Sequence, residues 1–514
     1  MSTRKEDMAF LFKRFKGFWD QYKQSKRGVL GIVIIAFFAV VAIFAPVIAP
    51  LNPLSPTMPG YYPGQTPRIA EKVCVPAWYR SIGGAQNLSE NVLVMEDHEF
   101  AIESTYDQWT RTKDSPYISI QYSPTGGSNN DNGYIEITYK REETEAAPEK
   151  GFATATLGYE FEYPYNQPPR SFWIHYSVKI DNRTNLEPFP LTVRAEFRRG
   201  EEPDIFTFRT RSISVENALG KYYHKATISA GYTGVLEETI FTEQGKYTYY
   251  FIVDIIDTGA GKVDLTVDVD NVQLLCYGQA YGLLGTDANE NTPRDLFTML
   301  VHGTRISFMI GLLTAVFSVF IGLAIGLISG YVRGLVDEGL MRFADFLLVL
   351  PGLPLLIVLV TVLGRSIWNI IGVLVFMGWM GFSRSVRSMV LSLRERPFVE
   401  SAKAAGAGTF YVIYRHILPN VFALVYISMA TSVPGAIISE ASLAWLGLGD
   451  KNIPSWGMIL YDFSRTQTAI VKGLGEYWFW VLPPGIAIAL MAMAFILMGF
   501  SLDEILNPKL RKRR

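Results

Sequence analysis

Apolar and polar positions divide the chain into two textures. Six charge-free windows, Gly28–Ala49, Ile306–Val332, Phe346–Gly364, Ser366–Ser383, Ile417–Ser439 and Tyr477–Leu502, are long and apolar. Crossing a hydrocarbon core of about 30 Å takes roughly 20 such residues, so the pattern predicts six transmembrane helices. Between the first two windows the period changes to two. "YISIQY", "GYIEITY", "SFWIHYSVKI", "LTVRAEFRR", "KYTYYFIVDII" and "KVDLTVDVDNVQLL" alternate or run rich in Val, Ile, Tyr and Phe, and turn stretches such as "SPTGGSNNDNG" and "DTGAG" separate them. With Pro-rich "PLNPLSPTMPGYYPGQTP" at its entrance, this stretch predicts an inserted all-β domain, a two-sheet β-sandwich of jelly-roll type. The expected division is 1–27 an N-terminal segment, 28–50 the first span, 51–280 the β insertion, and 281–514 a core holding spans two to six.

Composition fits that split: of 514 residues 49% are hydrophobic and 18% charged, with a mean hydropathy of +0.17. Lys plus Arg (47) and Asp plus Glu (48) nearly cancel, which gives no basic face for nucleic acid. The five His and two Cys form no set with metal-ligand spacing.

Placement of the charge matters more than its sum. Arg4, Lys5, Lys13, Arg14, Lys16, Lys23, Lys26 and Arg27 precede the first window, and Lys509, Arg511, Lys512, Arg513 and Arg514 follow the last. Basic flanks stay in the cytoplasm, so both termini are expected there, in a multi-pass protein of the cell membrane. Loops 333–342 and 384–416 then fall inside, and residues of about 51–300 fall outside. The first window ends in "APVIAPLNP" without a strong cleavage signal and reads as an uncleaved anchor. Met8, Leu11, Phe12, Phe15, Trp19 and Tyr22 recur at helical spacing opposite Lys and Arg, which suits a helix lying in the cytoplasmic interface; a basic tail without fixed structure is the alternative.

The longest expected cytoplasmic loop, "ERPFVESAKAAGAGTFYVIYRHILPN" (395–420), is too polar for lipid and too helix-prone to be slack. Glu400, Ala402, Ala404 and Ala405 favour a helix, Gly406 breaks it, and a second short helix runs from Tyr411 to Ile417 before Pro419 opens span five. Two short helices meeting at a glycine make a knob suited to a partner's cleft.

At this point the sequence resembles a family. Glu-x-Ala, the Gly six residues after that Glu, and Leu-Pro twelve and thirteen residues after the Gly look like the EAA loop of ABC importer permeases. "LGTD" (284–287), "RDLFTMLVHGTRIS" (294–307), "RHILPN", "SEASLAWLGLG" (439–449), "PSWGMIL" (454–460), "PPGIAIAL" and "LDEILNPKLR" are similar to the dipeptide/oligopeptide type. The resemblance is close from Gly282 to Arg514 and loose over the first ~50 residues. It implies the six-helix type I importer fold, with Glu400, Ala402, Ala405, Gly406, Leu418 and Pro419 in an ATPase-coupling loop. It also implies a second homologous permease subunit, two ATP-binding subunits that hold ATP and Mg, an extracytoplasmic solute-binding protein, and surrounding membrane lipid. Imported solutes would be peptides or related small molecules, oligosaccharides included. The chain departs from the pattern at Ser401, where Ala is usual, at His416, where Ile is favoured, in the added "ANENTP" before Arg294, and in the whole β-rich insertion.

Other chemistry finds no residues. A phosphate-cradling loop needs G-x-x-x-x-G-K-[ST], and the near miss "GAGKV" (259–263) lacks its first Gly and its terminal hydroxyl. With neither G-x-S-x-G nor H-E-x-x-H, the chain is not expected to be an enzyme or to carry a cofactor. Asp345, Arg365, Arg384 and Glu440 lie at span ends, where snorkelling or capping accounts for them. Cys74 and Cys276 bracket the insertion on the oxidising side and are candidates for a disulfide; two buried free thiols are the alternative. Asp268 and Asp270 are weak candidates for a structural Ca²⁺. "DVDNVQLLC" looks like the last strand of jelly-roll carbohydrate-binding modules, for which Trp78, Trp109 and Trp173 would be stacking surfaces, although strand aromatics more often build core. A membrane-tethered glycan receptor and an ABC exporter are the rival functions. The first makes five further spans superfluous, and the second is not expected to carry an EAA loop.

Overall fold

The computed structural model describes residues 19–56, 67–82, 86–95, 97–128, 133–182, 191–200, 206–213, 224–230, 241, 243–289 and 292–506. Most of the expected interfacial helix and the basic tail after residue 506 lie outside these; within them, Trp19–Tyr22 form a helical turn. The chain forms two compact units, one of residues 58–286 and one of residues 1–57 with 287–514.

The first unit is a β-sandwich. Its strands are β1 (Val92–Leu93), β2 (Trp109–Lys113), β3 (Ile118–Ser123), β4 (Tyr134–Arg141), β5 (Phe152–Tyr163), β6 (Ser171–Asn182), β7 (Leu191–Arg199), β8 (Phe206–Ile213), β9 (His224–Ala230), β10 (Gly245–Ile256) and β11 (Val263–Tyr277). They pair in two antiparallel sheets, β3-β4-β11-β6-β9 with β1 on β11, and β2-β5-β10-β7-β8. Strict alternation sends Tyr247, Tyr249, Phe251, Val253 and Ile255 of β10 against Phe172, Ile174, Tyr176, Val178 and Ile180 of β6 in one core. β11 changes phase midway. Leu265, Val267 and Val269 point inward before a bulge at Asp270–Gln273, and Val272, Leu274 and Cys276 point inward after it. Asn271 (φ 54°) takes the left-handed conformation that the bulge requires, tied by its amide to Ser128 Oγ.

One ion pair lies inside this core. Asp257 accepts from Arg141 Nε at 2.6 Å and Nη2 at 3.1 Å, from Tyr139 Oη at 2.7 Å and from the Gly259 amide at 2.8 Å. Burial pushes the Asp257 carboxyl up, but these donors outweigh it and hold the group below the ordinary carboxylate range.

Two expectations are corrected here, and Trp109 takes the core position that strand aromatics more often have. Cys74 and Cys276 are not bonded; both are buried free thiols. Cys276 points into the sandwich core, whereas Cys74 sits in a separate small cluster with Ile69 and Ala70 and donates to Glu71 O at 3.1 Å. The Ca²⁺ candidates already have protein partners: Asp268 pairs with Lys179 at 3.2 Å, and Asp270 accepts from the amides of Ser128 and Asn271, both at 2.6 Å. Among the described residues no three metal-binding side chains cluster. Trp109 is core, at the centre of contacts with Phe100, Tyr159 and Tyr249, so it is no exposed platform.

The second unit is helical: α1 (Lys26–Ile48), α2 (Leu296–Val332), α3 (Gly334–Val349), α4 (Gly352–Leu363), α5 (Ile367–Arg394), α6 (Pro397–Ala404), α7 (Thr409–Val412), α8 (Leu418–Trp445), α9 (Trp456–Arg465) and α10 (Gln467–Leu506). Stretches in α1, α2, α5, α7–α8 and α10 are long and apolar enough to cross a membrane. The expected third span, 346–364, is not one helix. Leu350 is extended (ψ 138°) ahead of Pro351, because a residue before proline avoids the helical region, and α3 and α4 meet there at 96°.

The bent pair still completes a sixth crossing. α2 and α5 lie parallel, since Gly322, Gly326 and Gly330 face Trp379, Ser383 and Val390 in turn, and the chain between two parallel neighbours must return to the starting end. With 16 and 12 residues at 1.5 Å each, the two legs are about 24 and 18 Å long and together reach about 30 Å. α1 begins where α10 ends, with Ser25 Oγ 2.8 Å from Ser501 Oγ, and it finishes beside the head of α2, with Ala49 O 2.9 Å from His302 Nε2.

Residues 58–286 expressed alone are expected to fold with a β-rich circular dichroism spectrum. In that fragment Asp257→Ala should lower the unfolding free energy by about 3–5 kcal/mol, because it strands a buried guanidinium. The wild-type advantage should be full above the unfolded carboxylate pKa and fade as pH falls through the lower folded value, read by urea unfolding at several pH values. Burial lifts the Cys74 thiol to about 11 and Cys276 further still. Neither should react with iodoacetamide in native protein at pH 8, both should react after denaturation, and unreduced peptide maps should show no Cys74–Cys276 link.

Candidate functional site

At the end of the helical unit where α10 finishes, residues 395–420 form a two-helix knob. α6 starts at Pro397, whose fixed φ and missing N–H suit a first helical position. Its end is a Schellman motif: the Ala407 amide donates to Ala402 O at 3.0 Å and the Gly406 amide to Lys403 O at 2.9 Å, with Gly406 at φ 83°. Ala402 and Ala407, the positions that this motif brings together, are both half-buried on the bundle.

The second helix departs from the expectation. α7 continues through a π turn, Ile413–Ile417, straight into α8, so Pro419 lies inside one continuous helical rod and does not open it. Proline lacks the N–H that would bond four residues back and crowds that carbonyl; the wider π turn just before it relieves the conflict.

One face of the knob is anchored. Val399, Val412 and Ile417 are fully buried against Val386, Val390 and Val421. Tyr331, near the end of α2, sits under Lys403 Nζ at 5.2 Å and the Arg394 guanidinium at 5.5 Å, and its carbonyl accepts from Arg394 at 2.8 Å. The other face is open. Glu400, Ala405, Gly406 and Pro419 are exposed and Leu418 is half-buried. With them lie Phe398 (43% exposed), Tyr411 (56%), Tyr414 (65%) and Phe410 (81%), the last two stacked with centroids 6.4 Å apart. Exposed aromatics of this size in a loop otherwise rich in charge make a candidate contact surface. The motif reading missed them, although large apolar residues in a loop otherwise rich in charge were the signal. Ser401, in place of Ala, returns its hydroxyl to Pro397 O at 2.8 Å, and His416 packs between the rings of Phe398 and Tyr411.

At the opposite end "LGTD", "RDLFTMLVHGTRIS", "SEASLAWLGLG" and "PSWGMIL" converge. Asp287 of "LGTD" accepts from Arg294 Nε at 2.5 Å, and the Asp287 amide donates to Arg294 O at 3.1 Å, so the two residues that flank the added "ANENTP" are held together. Arg294 reaches on to Asp462 of α9 at 2.6 Å. Burial pushes the Asp462 carboxyl up to about 6, opposed by Arg294 and assisted by Asp287. Asp295 caps α2 through the Thr298 amide at 2.9 Å. Trp456 of "PSWG" lies against Gly303, donates through its indole N–H to Leu300 O at 3.1 Å and through its amide to Ser307 Oγ at 3.3 Å. Gly457 rests on Ala441 and Ala444, where a Cβ would come within 2.7 Å of backbone.

Glu440, expected at a wet helix end, is instead 3% exposed. One of its oxygens accepts from Ser455 Oγ at 2.7 Å, and Ser455 in turn caps α9. Arg384 and Asp345 pair with each other.

Residues 322–512 match the family described as binding-protein-dependent transport system inner membrane component, and residues 13–63 match the N-terminal TM domain of oligopeptide transport permease C. The dipeptide transport system permease protein DppC of Bacillus subtilis (strain 168) is 36% identical over 229 residues, 44% of this chain and 69% of that protein. The oligopeptide transport system permease protein OppC of Haemophilus influenzae is 36% identical over 232 residues, 45% of this chain and 71% of that one. The chain belongs to the dipeptide/oligopeptide type of ABC permease. A glutathione transport system permease protein, GsiD of Pectobacterium atrosepticum, is 33% identical over 44% of this permease and 73% of its own length. Solved structures align weakly. The inward-facing MetNI methionine ABC transporter gives a TM-score of 0.32 at 16% identity, covering 40% of this permease and 96% of that chain. The CBM22-1 xylan-binding domain from Paenibacillus barcinonensis Xyn10C gives 0.23 at 13%, covering 38% and 99%. Both scores are too low to bear on the fold. The family is a membrane component of a transporter, not itself catalytic.

A β-branched residue at φ 83° is strained by about 1–2 kcal/mol. Gly406→Val should therefore loosen the knob and raise proteolysis between residues 397 and 412, while the detergent-solubilised bundle keeps the wild-type melting temperature.

Proposed function

We propose that this permease is one of two membrane subunits of an ATP-driven importer for peptides or related small solutes, oligosaccharides included. The observation that carries the reading is the knob at residues 395–420: rigidly seated on the bundle by Val399, Val412 and Ile417, yet exposing Glu400 and four aromatic rings. A surface built that way transmits a push from a partner into α8, because α7 and α8 are one rod. Two ATP-binding subunits, holding ATP and Mg, are the partner; the sequence has no phosphate-binding loop of its own. The basic flanks support a cytoplasmic knob and cytoplasmic termini, with residues of about 51–300 outside. A second permease subunit completes the path, and an extracytoplasmic solute-binding protein delivers the solute. Closure of the ATP-binding subunits moves the knob and switches the spans between inward- and outward-open states.

The test is uptake together with retention of ATPase subunits co-expressed with the permease. Glu400→Lys, Phe410→Ser and Gly406→Val should each cut both several-fold while the protein still inserts in the membrane. Wild-type ATPase retention and uptake in all three variants would sink the coupling assignment.

A further inference from the structure

The turn that joins β2 to β3 (114–117) and the stretch that leads into β5 (146–152) line a cleft of about 370 Å³ in the β unit. Small-molecule sites run from roughly 300 to 1,000 Å³, so the cleft suits one small ligand. Both walls are held by the sandwich itself. Asp114 extends the β2–β5 ladder: its amide donates to Thr154 O at 3.2 Å, and its Oδ1 accepts from the Thr154 amide at 2.6 Å. Tyr117 is fixed by its carbonyl, which accepts from the Lys140 amide at 3.0 Å, and by its ring, edge-on to Tyr139 at 6.4 Å. The other wall hangs on the buried ion pair. Arg141 Nη1 donates to Glu142 O at 3.2 Å and to Glu145 O at 3.1 Å. The Asp257 amide donates to Gly151 O at 3.0 Å, and a Cβ at Gly259 would lie 3.1 Å from Ala147 Cβ. A ligand would meet walls already in place, which lowers the ordering cost of binding.

The lining has an apolar part, with Pro116, Pro148, Ala147 and Phe152, and a polar part. Asp114 Oδ2, the Tyr117 hydroxyl, the Glu149 carboxylate and the Lys150 ammonium have no hydrogen-bond or ion-pair partner among the described residues. Arg194, whose charge Asp114 feels, is already engaged by Asp254 and Glu196. Bonds in which one or both partners are ionised are the stronger polar contacts, and here both signs are on offer. The carboxylates favour an ammonium group, and Lys150 favours a carboxylate. Opposite charges beside an apolar floor match a small zwitterion with an apolar side chain, which is what a short peptide with free ends is. A neutral sugar would use none of the three charges as charge.

We propose that this cleft binds short peptides as zwitterions. Asp114 and Glu149 take the amino terminus, Lys150 takes the carboxyl terminus, and Pro116 and Pro148 receive an apolar side chain. That such peptides are also the imported solute rests on the importer reading above; the site itself does not.

The experiment is equilibrium dialysis of radiolabelled alanylphenylalanine against the full-length permease in detergent, without ATP or partner subunits. Saturable binding is expected, weakened several-fold by Asp114→Asn and by Lys150→Gln. Both variants keep side-chain size, Asp114→Asn keeps the acceptor for the Thr154 amide, and both should keep the wild-type melting temperature. Acetylating the peptide's amino terminus should weaken binding to the unsubstituted protein and cause no further loss in Asp114→Asn. Amidating its carboxyl terminus should stand in the same relation to Lys150→Gln. No saturable binding, or binding unchanged in either variant, would overturn the proposal. Displacement of the peptide by equimolar maltose would overturn it in favour of a neutral glycan. Gly406→Val separates this site from the importer reading, because it should lose uptake and still bind the peptide as the unsubstituted protein does.

Discussion

Close approach of α2 and α5 is the constraint on which the helical unit rests. In hydrocarbon, helices gain nothing from hiding apolar side chains from each other, so association depends on how near two backbones come. Gly322, Gly326 and Gly330 give that nearness: a Cβ at Gly326 would lie 2.6 Å from Ser383 O and from Val386 Cβ. Because the glycines recur every four residues on one face, the contact runs along half the helix and fixes α2 and α5 parallel. Parallel neighbours oblige the chain between them to cross back, and the bent α3–α4 pair does so. From the same alignment follow the positions of Arg333 beside Glu395 (3.1 Å) and of Tyr331 beneath Arg394 and Lys403. The seat of the knob is therefore a consequence of a glycine seam some distance up the bundle.

Polar groups buried in the bundle mostly hold one element against another. Asp337 takes two 2.6 Å bonds from Arg387 and one from Ser329, tying α2, α3 and α5 at one end. Arg294, between Asp287 and Asp462, ties the head of α2 to α9 at the other. Glu440 does the same for α8 and α9 through Ser455. Each bond lies where a break would leave an uncompensated group in a poorly hydrated place, so these junctions resist sliding more than surface pairs of equal count would. The middle of the bundle is joined by apolar packing and small residues instead.

The β unit is organised on different terms. Its core is self-contained, the Arg141–Asp257 ion pair buried in it is satisfied by four donors, and its chain ends are tied by backbone and Thr286 bonds without a covalent link. Ends tied in this way allow a domain to sit inside a loop of another protein, because the host chain leaves close to where it entered.

The sequence by itself determined the kind of each element. A period of two over 110–277 and long charge-free windows elsewhere dictated a sandwich and a set of spanning helices, since each pattern has one way to remove its apolar face from water. It also placed the knob, for Gly406 amid Ala and Glu admits little but a helix end. The tertiary structure decided what depends on partners distant in sequence. Whether Cys74 and Cys276 bond is set by which cores their side chains enter, and the bulge at Asp270–Gln273 turns Cys276 inward. The break at Leu350–Pro351 lay unread in a window taken as one span, and whether the pieces form one crossing depended on α2 and α5 being parallel. Glu440 looked like a helix-end charge until Ser455, fifteen residues on, folded over it. Local patterns fix local geometry because they act through adjacent backbone; burial and pairing are decided only when separate segments meet.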